Sequence, residues 1–151
     1  MRTRYVGITS AVVSVVALMA LAFGQITLPV FASIPFAFTV QGKQLPAGRY
    51  SLQPDNGNPS IVVIRSVSRS AKPLVVITTM RESLNPSGQA KLVFDRVGGK
   101  YFLSQIWPGN GAEIGRQVPE KSAEMHWLRT NEHLSAGGVT PAQTTVPCST
   151  K

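Results

Sequence analysis

Apolar and polar residues alternate in several short runs between residue 33 and residue 107, and this alternation is typical of half-buried β-strands. The clearest example is residues 92–107, where two apolar-rich runs flank Gly98-Gly99. A glycine pair tolerates the positive φ angles that a two-residue hairpin turn requires. Residues 92–107 therefore predict a β-hairpin.

The turn sets the register of this hairpin. If Val97 lies opposite Lys100, three further pairs follow: Arg96 with Tyr101, Phe94 with Leu103, and Leu92 with Gln105. One face of the hairpin then carries five apolar or aromatic residues, namely Leu92, Phe94, Tyr101, Leu103 and Trp107. We expect this face to line the core.

Four more runs predict strands: residues 33–40, 49–53, 61–67 and 74–80. The turn Leu45-Pro46-Ala47-Gly48 joins the first two. Beyond residue 107 the pattern indicates a short irregular strand over 112–118 and then a helix that starts at Pro119. About six short strands joined by tight turns predict an all-β fold, either a small antiparallel β-sandwich or a partly open barrel, with one C-terminal helix closing an open end.

The N-terminus has the pattern of an export signal. Arg2 and Arg4 precede an uncharged apolar run over residues 6–23, and Val30-Phe31-Ala32 ends with a small residue. This layout predicts an N-terminal signal helix that is cleaved after Ala32, which would release the protein into the periplasm or the exterior. The alternative is an uncleaved segment that anchors the chain in the inner membrane through residues 6–23.

Four segments follow from these patterns: a signal peptide (1–32), a β-domain (33–118), a C-terminal helix (119–134) and a tail (135–151). The tail is rich in Gly, Thr, Pro, Gln and Ser, a composition that predicts disorder. The only cysteine, Cys148, lies in this tail. The fold therefore depends on no internal disulfide. We expect Cys148 to be a reactive thiol on a flexible segment, and the alternative is a disulfide between two chains.

The chain carries 15 Lys and Arg residues against 7 Asp and Glu residues, a net charge of +8. A basic balance often indicates nucleic-acid binding, but the basic residues here are scattered singly, and export would separate the protein from nucleic acid. We therefore interpret the charge as a contribution to solubility. The alternative is a weak attraction to an anionic cell surface or polysaccharide.

Residues that could carry chemistry are sparse. The nucleophile motifs G-x-S-x-G and S-x-x-K are both absent. Asp55, Glu82 and Asp95 lie in or between predicted strands, but nothing in the sequence brings two of these carboxylates together. His126 and His133 are two helical turns apart, about 10.5 Å of rise, which is too far for both to bind one metal ion. We expect no catalytic residue, no metal and no cofactor.

Two aromatic residues are the candidate ligand-stacking side chains. In the predicted register Phe102 and Trp107 lie on opposite faces of one strand, so we expect at least one of them to be partly uncovered. An uncovered aromatic ring can stack on a sugar ring. The competing interpretation places both rings in the core, because a domain of this size needs its aromatic residues inside.

The arrangement of two hairpin motifs resembles that of a group of small, exported, uncharacterised bacterial proteins. The first motif has the form PF-F-V…LPAG-Y and the second has the form L-F…G…YFL…W. Matching residues are Pro35, Phe36, Phe38, Leu45, Pro46, Ala47, Gly48, Tyr50, Leu92, Phe94, Tyr101, Phe102, Leu103 and Trp107. The resemblance implies an exported β-rich domain, and it implies no activity, ligand or site.

These patterns together predict a non-enzymatic, exported β-domain with a binding or structural role in the cell envelope. One alternative is a module that binds carbohydrate or another envelope polymer through an aromatic and several basic residues. The other alternative is a carboxylate-dependent hydrolase. The partners that we expect are an envelope polysaccharide or another envelope protein, and we expect membrane contact only through an uncleaved N-terminal segment.

Overall fold

The computed structural model describes residues 29–83, 88–109, 114–119, 126, 130 and 142–150, and every element defined among them is a strand. The strands are β1 (Val30–Ile34), β2 (Phe38–Val40), β3 (Lys43–Leu45), β4 (Gly48–Pro54), β5 (Ile61–Ser66), β6 (Leu74–Ile77), β7 (Thr79–Glu82), β8 (Lys91–Val97), β9 (Lys100–Trp107), β10 (Ile114–Gln117) and β11 (Ala142–Thr150). All eleven belong to one curled sheet with the form of a half-barrel.

Neighbouring strands follow the order β3-β2-β9-β8-β11-β1-β4-β5-β6, and each pair is antiparallel except β2 with β9. Two strands lie off this path. Only Thr78 separates β6 from β7, and β7 pairs with β10, which in turn pairs with β9. The chain therefore continues from β6 into β7, and the pairing of β7 with β10 and of β10 with β9 leads back to the other half of the sheet. This connection is consistent with the curl of the sheet.

The predicted architecture is wrong, although the chain is β-rich as its alternation indicates. A sandwich or partly open barrel of about six strands with two helices is replaced by a single half-barrel of eleven strands. Runs that read as one strand are interrupted, since residues 35–37 separate β1 from β2 and Thr78 separates β6 from β7. Neither predicted helix is among the elements. Residues 1–28 and most of 119–134 lie outside the described residues, and the two described positions inside the predicted C-terminal helix, His126 and Thr130, have helical backbone without forming a defined element.

The central hairpin confirms the predicted register on one side of a bulge. Val97 lies opposite Lys100 and Phe94 lies opposite Leu103, but a register shift between Val93 and Phe94 makes Leu92 pair with Ile106 instead of Gln105. The shift leaves Ser104 as the extra residue on β9. Because side chains alternate along a strand, Ile106 moves into the core and Trp107 turns to the outer face of the sheet.

The predicted disorder of residues 135–151 is wrong for residues 142–150, which form β11 between β8 and β1. The apolar signal of this strand is weak because only Val146 is fully buried. β11 is instead held by its position, where its residues 142–147 pair with β8 and its residues 148–150 pair with β1. Residues 135–141 lie outside the described residues.

The predicted boundary after Ala32 falls inside β1. This strand lies between β11 and β4, and Val30, Ala32 and Ile34 are all buried. A chain that began at Ser33 would lack three of the five residues of a central strand. The folded domain therefore includes residues from Val30 onwards.

The larger cluster of buried residues lies on one side of the sheet, and aromatic rings form its centre. Phe94 is fully buried and meets Phe36 and Phe38 edge to face, with ring centroids 5.2 and 5.4 Å away. The Tyr50 ring packs against Phe38 in the same manner, and its hydroxyl donates to the Pro46 carbonyl over 2.7 Å. This bond explains the spacing of the LPAG-Y motif, since the tyrosine holds the turn that precedes it.

Candidate anion-binding site

The two predicted stacking residues lie on the same face of the sheet, because the bulge at Ser104 turns Trp107 towards the side of Phe102. The Phe102 ring is only 3% exposed, so it presents no face to a ligand. The Trp107 ring is half-buried, covers Gly115 and donates its indole N–H to Gln105 Oε1 over 3.0 Å. An alanine at position 115 would place its Cβ 2.7 Å from Trp107 Cδ2, so glycine permits this packing.

The three carboxylates considered as catalytic groups lie on separate elements. Asp55 Oδ2 accepts hydrogen bonds from the backbone N–H groups of Gly57 and Asn58, which stabilises the loop before β5. Asp95 is buried on β8 and accepts hydrogen bonds from Ser104 Oγ and Gln143 Nε2. Glu82 is exposed at the end of β7. The geometry therefore gives the described carboxylates no shared cleft.

Metal ligation finds no support among the described residues, since no three His, Cys, Asp or Glu side chains come together in them. His126 is exposed, and His133 lies outside the described residues. The separation of the two histidines therefore stays a prediction from the sequence.

Cys148 lies within β11 and is half-buried rather than free on a flexible tail. Its thiol donates to the Val146 carbonyl over 3.7 Å. Burial raises the pKa of this thiol to about 11, so it is protonated at neutral pH. A protonated, half-buried thiol is a poor nucleophile, which corrects the expectation of a reactive cysteine.

We expect Cys148 to react slowly with a disulfide reagent at pH 8. A pKa that is two units above that of an unfolded thiol lowers the thiolate fraction about a hundredfold. Stopped-flow measurement should therefore show a slow reaction in buffer and one about a hundredfold faster in urea. The control is Thr145→Cys in a Cys148→Ser background, because residue 145 is exposed on the same strand and should react rapidly without urea. Equal rates for the two native proteins would contradict the placement of Cys148.

A surface pocket of about 600 Å³ lies where β4 and β5 meet the β5–β6 connection. Three cationic side chains line it, namely Arg65, Arg69 and Lys72. Three serines also line it, namely Ser51, Ser66 and Ser70, and no carboxylate does. Within the part of the chain that the structure describes, none of the three cations forms an ion pair.

The sheet register and a tight turn assemble this pocket. Arg65 lies directly opposite Ser51, so both side chains share the outer face of the sheet. The chain then turns at Ser66, whose carbonyl accepts a hydrogen bond from the Arg69 N–H over 3.2 Å. Arg69 adopts a φ of +57°, which costs a residue with a Cβ about 1 kcal/mol or more. Backbone strain of this kind often accompanies a functional site.

The hydroxyl groups form a network at the base of the turn. Ser66 Oγ lies 2.9 Å from Ser70 Oγ and 3.1 Å from Ser68 Oγ, and Ser68 Oγ donates to Ser70 Oγ over 3.2 Å. No carboxylate or histidine among the pocket residues acts on these hydroxyls. The serines can therefore donate hydrogen bonds to a ligand, but the pocket residues supply no base to activate them as nucleophiles.

A smaller hollow of about 260 Å³ lies beside the pocket on the outer face of β1 and β4. It is lined in part by Arg49, whose guanidinium carbon lies 5.8 Å from the centroid of the Phe31 ring. Arg49 and Ser51 are two residues apart on β4, so they face the same side. Four cations thus extend along one outer surface, which we call the basic stripe: Arg49, Arg65, Arg69 and Lys72.

The sequence alone does not predict the basic stripe, because its residues are dispersed along the chain. One signal was present, since the spacing R-x-x-x-R-x-x-K at positions 65, 69 and 72 is denser than elsewhere in the chain. Arg49 joins this group only through the β4–β5 pairing. An arginine fork binds carboxylate or phosphate groups in a bidentate manner, and hydroxyl donors complete such a site. The arrangement is suited to binding an anion.

Another cation, Arg116 on β10, is half-buried opposite Met80 and Ile106. Its Nη1 atom is buried and has no hydrogen-bond partner. An unpaired buried donor destabilises a fold by about 1–3 kcal/mol. Among the described residues, Arg116 carries the buried side-chain donor that has no hydrogen-bond partner, so we expect it to destabilise the sheet locally.

Comparison with known proteins gives no relative from which a function could be transferred. No family model, curated protein or solved structure matches the chain. The assignment therefore rests on the pocket and the basic stripe.

Proposed function

We propose that this protein is a non-enzymatic binding domain of the cell envelope that holds an anionic ligand, such as an acidic polysaccharide, in the pocket of the basic stripe. The observation that carries the proposal is the set of three cations and three hydroxyls around about 600 Å³, with no carboxylate in the lining. A pocket of this volume is in the range that accommodates small ligands or one or two sugar units.

The chemistry of the pocket favours binding over catalysis. Guanidinium and ammonium groups keep their charge at neutral pH, so they attract an anion without transferring a proton. The carboxylates that a hydrolase would require lie on β7, on β8 and in the loop after β4. A carboxylate-dependent hydrolase therefore gains no support from the positions of the described residues.

Carbohydrate stacking on an aromatic ring is the weaker alternative. Trp107 keeps some ring surface accessible, but it does not line the basic pocket. Phe36 and Tyr101 stack on each other, with ring centroids 3.9 Å apart and planes 16° apart, and Arg96 lies 5.9 Å from the Tyr101 ring. These rings use their faces for mutual packing, so we place the ligand in the basic pocket.

The envelope location rests on the sequence. Arg2, Arg4 and the apolar run 6–23 support export. Because β1 starts at Val30, processing compatible with the fold would take place before this residue. Among the described residues no helix has the length and apolar character required to cross a membrane.

The proposal is tested with dextran sulfate, a sulfated polysaccharide, and with neutral dextran. Titration calorimetry in about 0.1 M salt, where charges closer than about 10 Å still interact, should show binding of dextran sulfate and none of dextran. Arg69→Ala should weaken binding at least about tenfold, because a lost charge-assisted hydrogen bond is worth about 1.5–3 kcal/mol.

The matched control is Arg81→Ala, which removes the same charge from β7. Arg81 donates to Gln117 Oε1 over 2.8 Å and does not line the pocket, so its loss should change the affinity less than twofold. Equal losses for Arg69→Ala and Arg81→Ala would show that the polymer senses net charge only. That result would overturn the assignment of the pocket.

A further inference from the structure

The outer face of β5 and β6 is apolar, although it faces away from the core. Val62, Ile64, Leu74 and Val76 face the core. The residues between them face outwards and lie directly opposite each other across the two strands, Ile61 with Ile77 and Val63 with Val75. Val75 is 58% exposed and Ile77 is 53% exposed. We call these four residues, Ile61, Val63, Val75 and Ile77, the outer apolar patch.

Core formation does not explain this patch. A sheet with one face in the core usually carries polar residues on its other face. A cluster of exposed β-branched residues on paired strands instead marks a contact surface.

The basic stripe continues directly from the outer apolar patch. Arg65 follows Val63 on the same face of β5, and Arg69 and Lys72 lie in the connection between β5 and β6. Val67 in this connection is a further apolar residue, 50% exposed among the cations. The surface thus combines an apolar area with cations at one of its ends.

Two positions at the strand edge beside the patch offer no free backbone group to another strand. β6 is the last strand on the sheet path, but Gln41 Nε2 donates to the Ile77 carbonyl over 3.0 Å, and Pro73 before the strand has no N–H to donate. Two copies that met through this face would also bring their cations together. The surface therefore favours a partner that is apolar and anionic and needs no backbone hydrogen bonds.

We propose that the outer apolar patch and the adjoining cations dock the domain on an anionic phospholipid surface. The apolar side chains enter the boundary between headgroups and acyl chains, and Arg65, Arg69 and Lys72 contact the phosphates. This contact is separate from any membrane contact of the N-terminal segment. It goes beyond the proposed function, although the two share the cations.

The test is co-sedimentation of the full chain with large vesicles. One set contains phosphatidylcholine alone, and the other contains phosphatidylglycerol in addition. The full chain should bind the anionic vesicles more tightly. The variant Val75→Thr/Ile77→Thr keeps β-branched residues in the strand and should weaken binding to anionic vesicles about tenfold, because it removes the groups that enter the lipid.

The matched control is Met80→Thr/Ile114→Thr. These two residues are 66% and 45% exposed on β7 and β10, outside the patch, so the control removes apolar surface of a similar kind. It should bind vesicles like the unmodified chain. Every variant carries the same N-terminal segment, so the contribution of that segment cancels. Thermal denaturation of each variant confirms that it is folded.

Dextran sulfate separates this inference from the proposed function. The patch variant should bind the polymer normally, whereas Arg69→Ala should lose affinity for both the polymer and the vesicles. Vesicle binding that is unchanged in the patch variant would overturn lipid docking and leave the proposed function in place. Sedimentation that shows a dimer, converted to a monomer by the patch variant, would assign the patch to a second copy and also overturn lipid docking. If every variant, including Arg69→Ala, binds dextran sulfate as tightly as the unmodified chain, the proposed function alone is overturned.

Discussion

Removal of residues 142–151 is expected to abolish cooperative folding. β11 pairs with β8 through six residues and with β1 through three, and its removal leaves β8 and β1 each with one unpaired edge in the middle of the sheet. The groups β3-β2-β9-β8 and β1-β4-β5-β6 would then be joined only through β7 and β10. Each unpaired backbone group in a buried position costs about 1–3 kcal/mol, and a domain of this size is stable by only about 5–15 kcal/mol. Circular dichroism during heating should show no sharp transition.

A single substitution in β11 tests whether the truncation acts through the loss of this strand and not through the shorter chain. Val146 is 5% exposed, so Val146→Asp would bury a charge and should also prevent folding. Thr145→Ala is the control, because Thr145 is exposed and its substitution should change the free energy of unfolding by about 0.5 kcal/mol or less. If the truncated chain melts cooperatively at nearly the temperature of the full chain, β11 is not part of the stable fold.

Phe94→Ala is expected to lower the free energy of unfolding by about 3–5 kcal/mol, the usual range for loss of a buried phenyl ring. Phe94 is 0% exposed, and its ring contacts Phe36 and Phe38 at once. Removal leaves a cavity between two rings that are themselves held by other core residues, so little collapse can follow. Urea denaturation followed by circular dichroism measures the loss.

The matched control for Phe94→Ala is Phe31→Ala, which removes a phenyl ring outside the core. Phe31 is half-buried on the outer face of β1 and packs beside Arg49, so its loss should destabilise the fold by only about 1 kcal/mol. A loss below about 1 kcal/mol for Phe94→Ala would show that the ring does not belong to the core.

Local features of the fold were predictable because short segments determine them. Gly98 and Gly99 both have positive φ, as the hairpin turn requires, and the pairs next to the turn follow from it. The LPAG-Y turn is similarly local, since Tyr50 closes it four residues away. Alternation also located residues that face the core, such as Phe94 and Leu103.

Features that depend on distant pairing were not predictable from the same patterns. β11 has one buried apolar residue, and its order comes from two strands that are about 50 and 120 residues away in the chain. The bulge at Ser104 is equally hidden, because a one-residue shift reverses the faces of a strand without changing its composition. That shift placed Trp107 outside and Ile106 inside.

The sequence by itself determined that this chain is rich in strands, where its tight turns lie and which residues form the centre of its core, because turn geometry and period-two alternation act over a few residues. Only the tertiary structure decided that the strands form one half-barrel and that β1 and β11 complete it. The candidate site also arose only there, since Arg49 and Arg65 lie on neighbouring strands and are 16 residues apart in the chain. Pairing between distant strands brings these charges together, and no local pattern records such pairing.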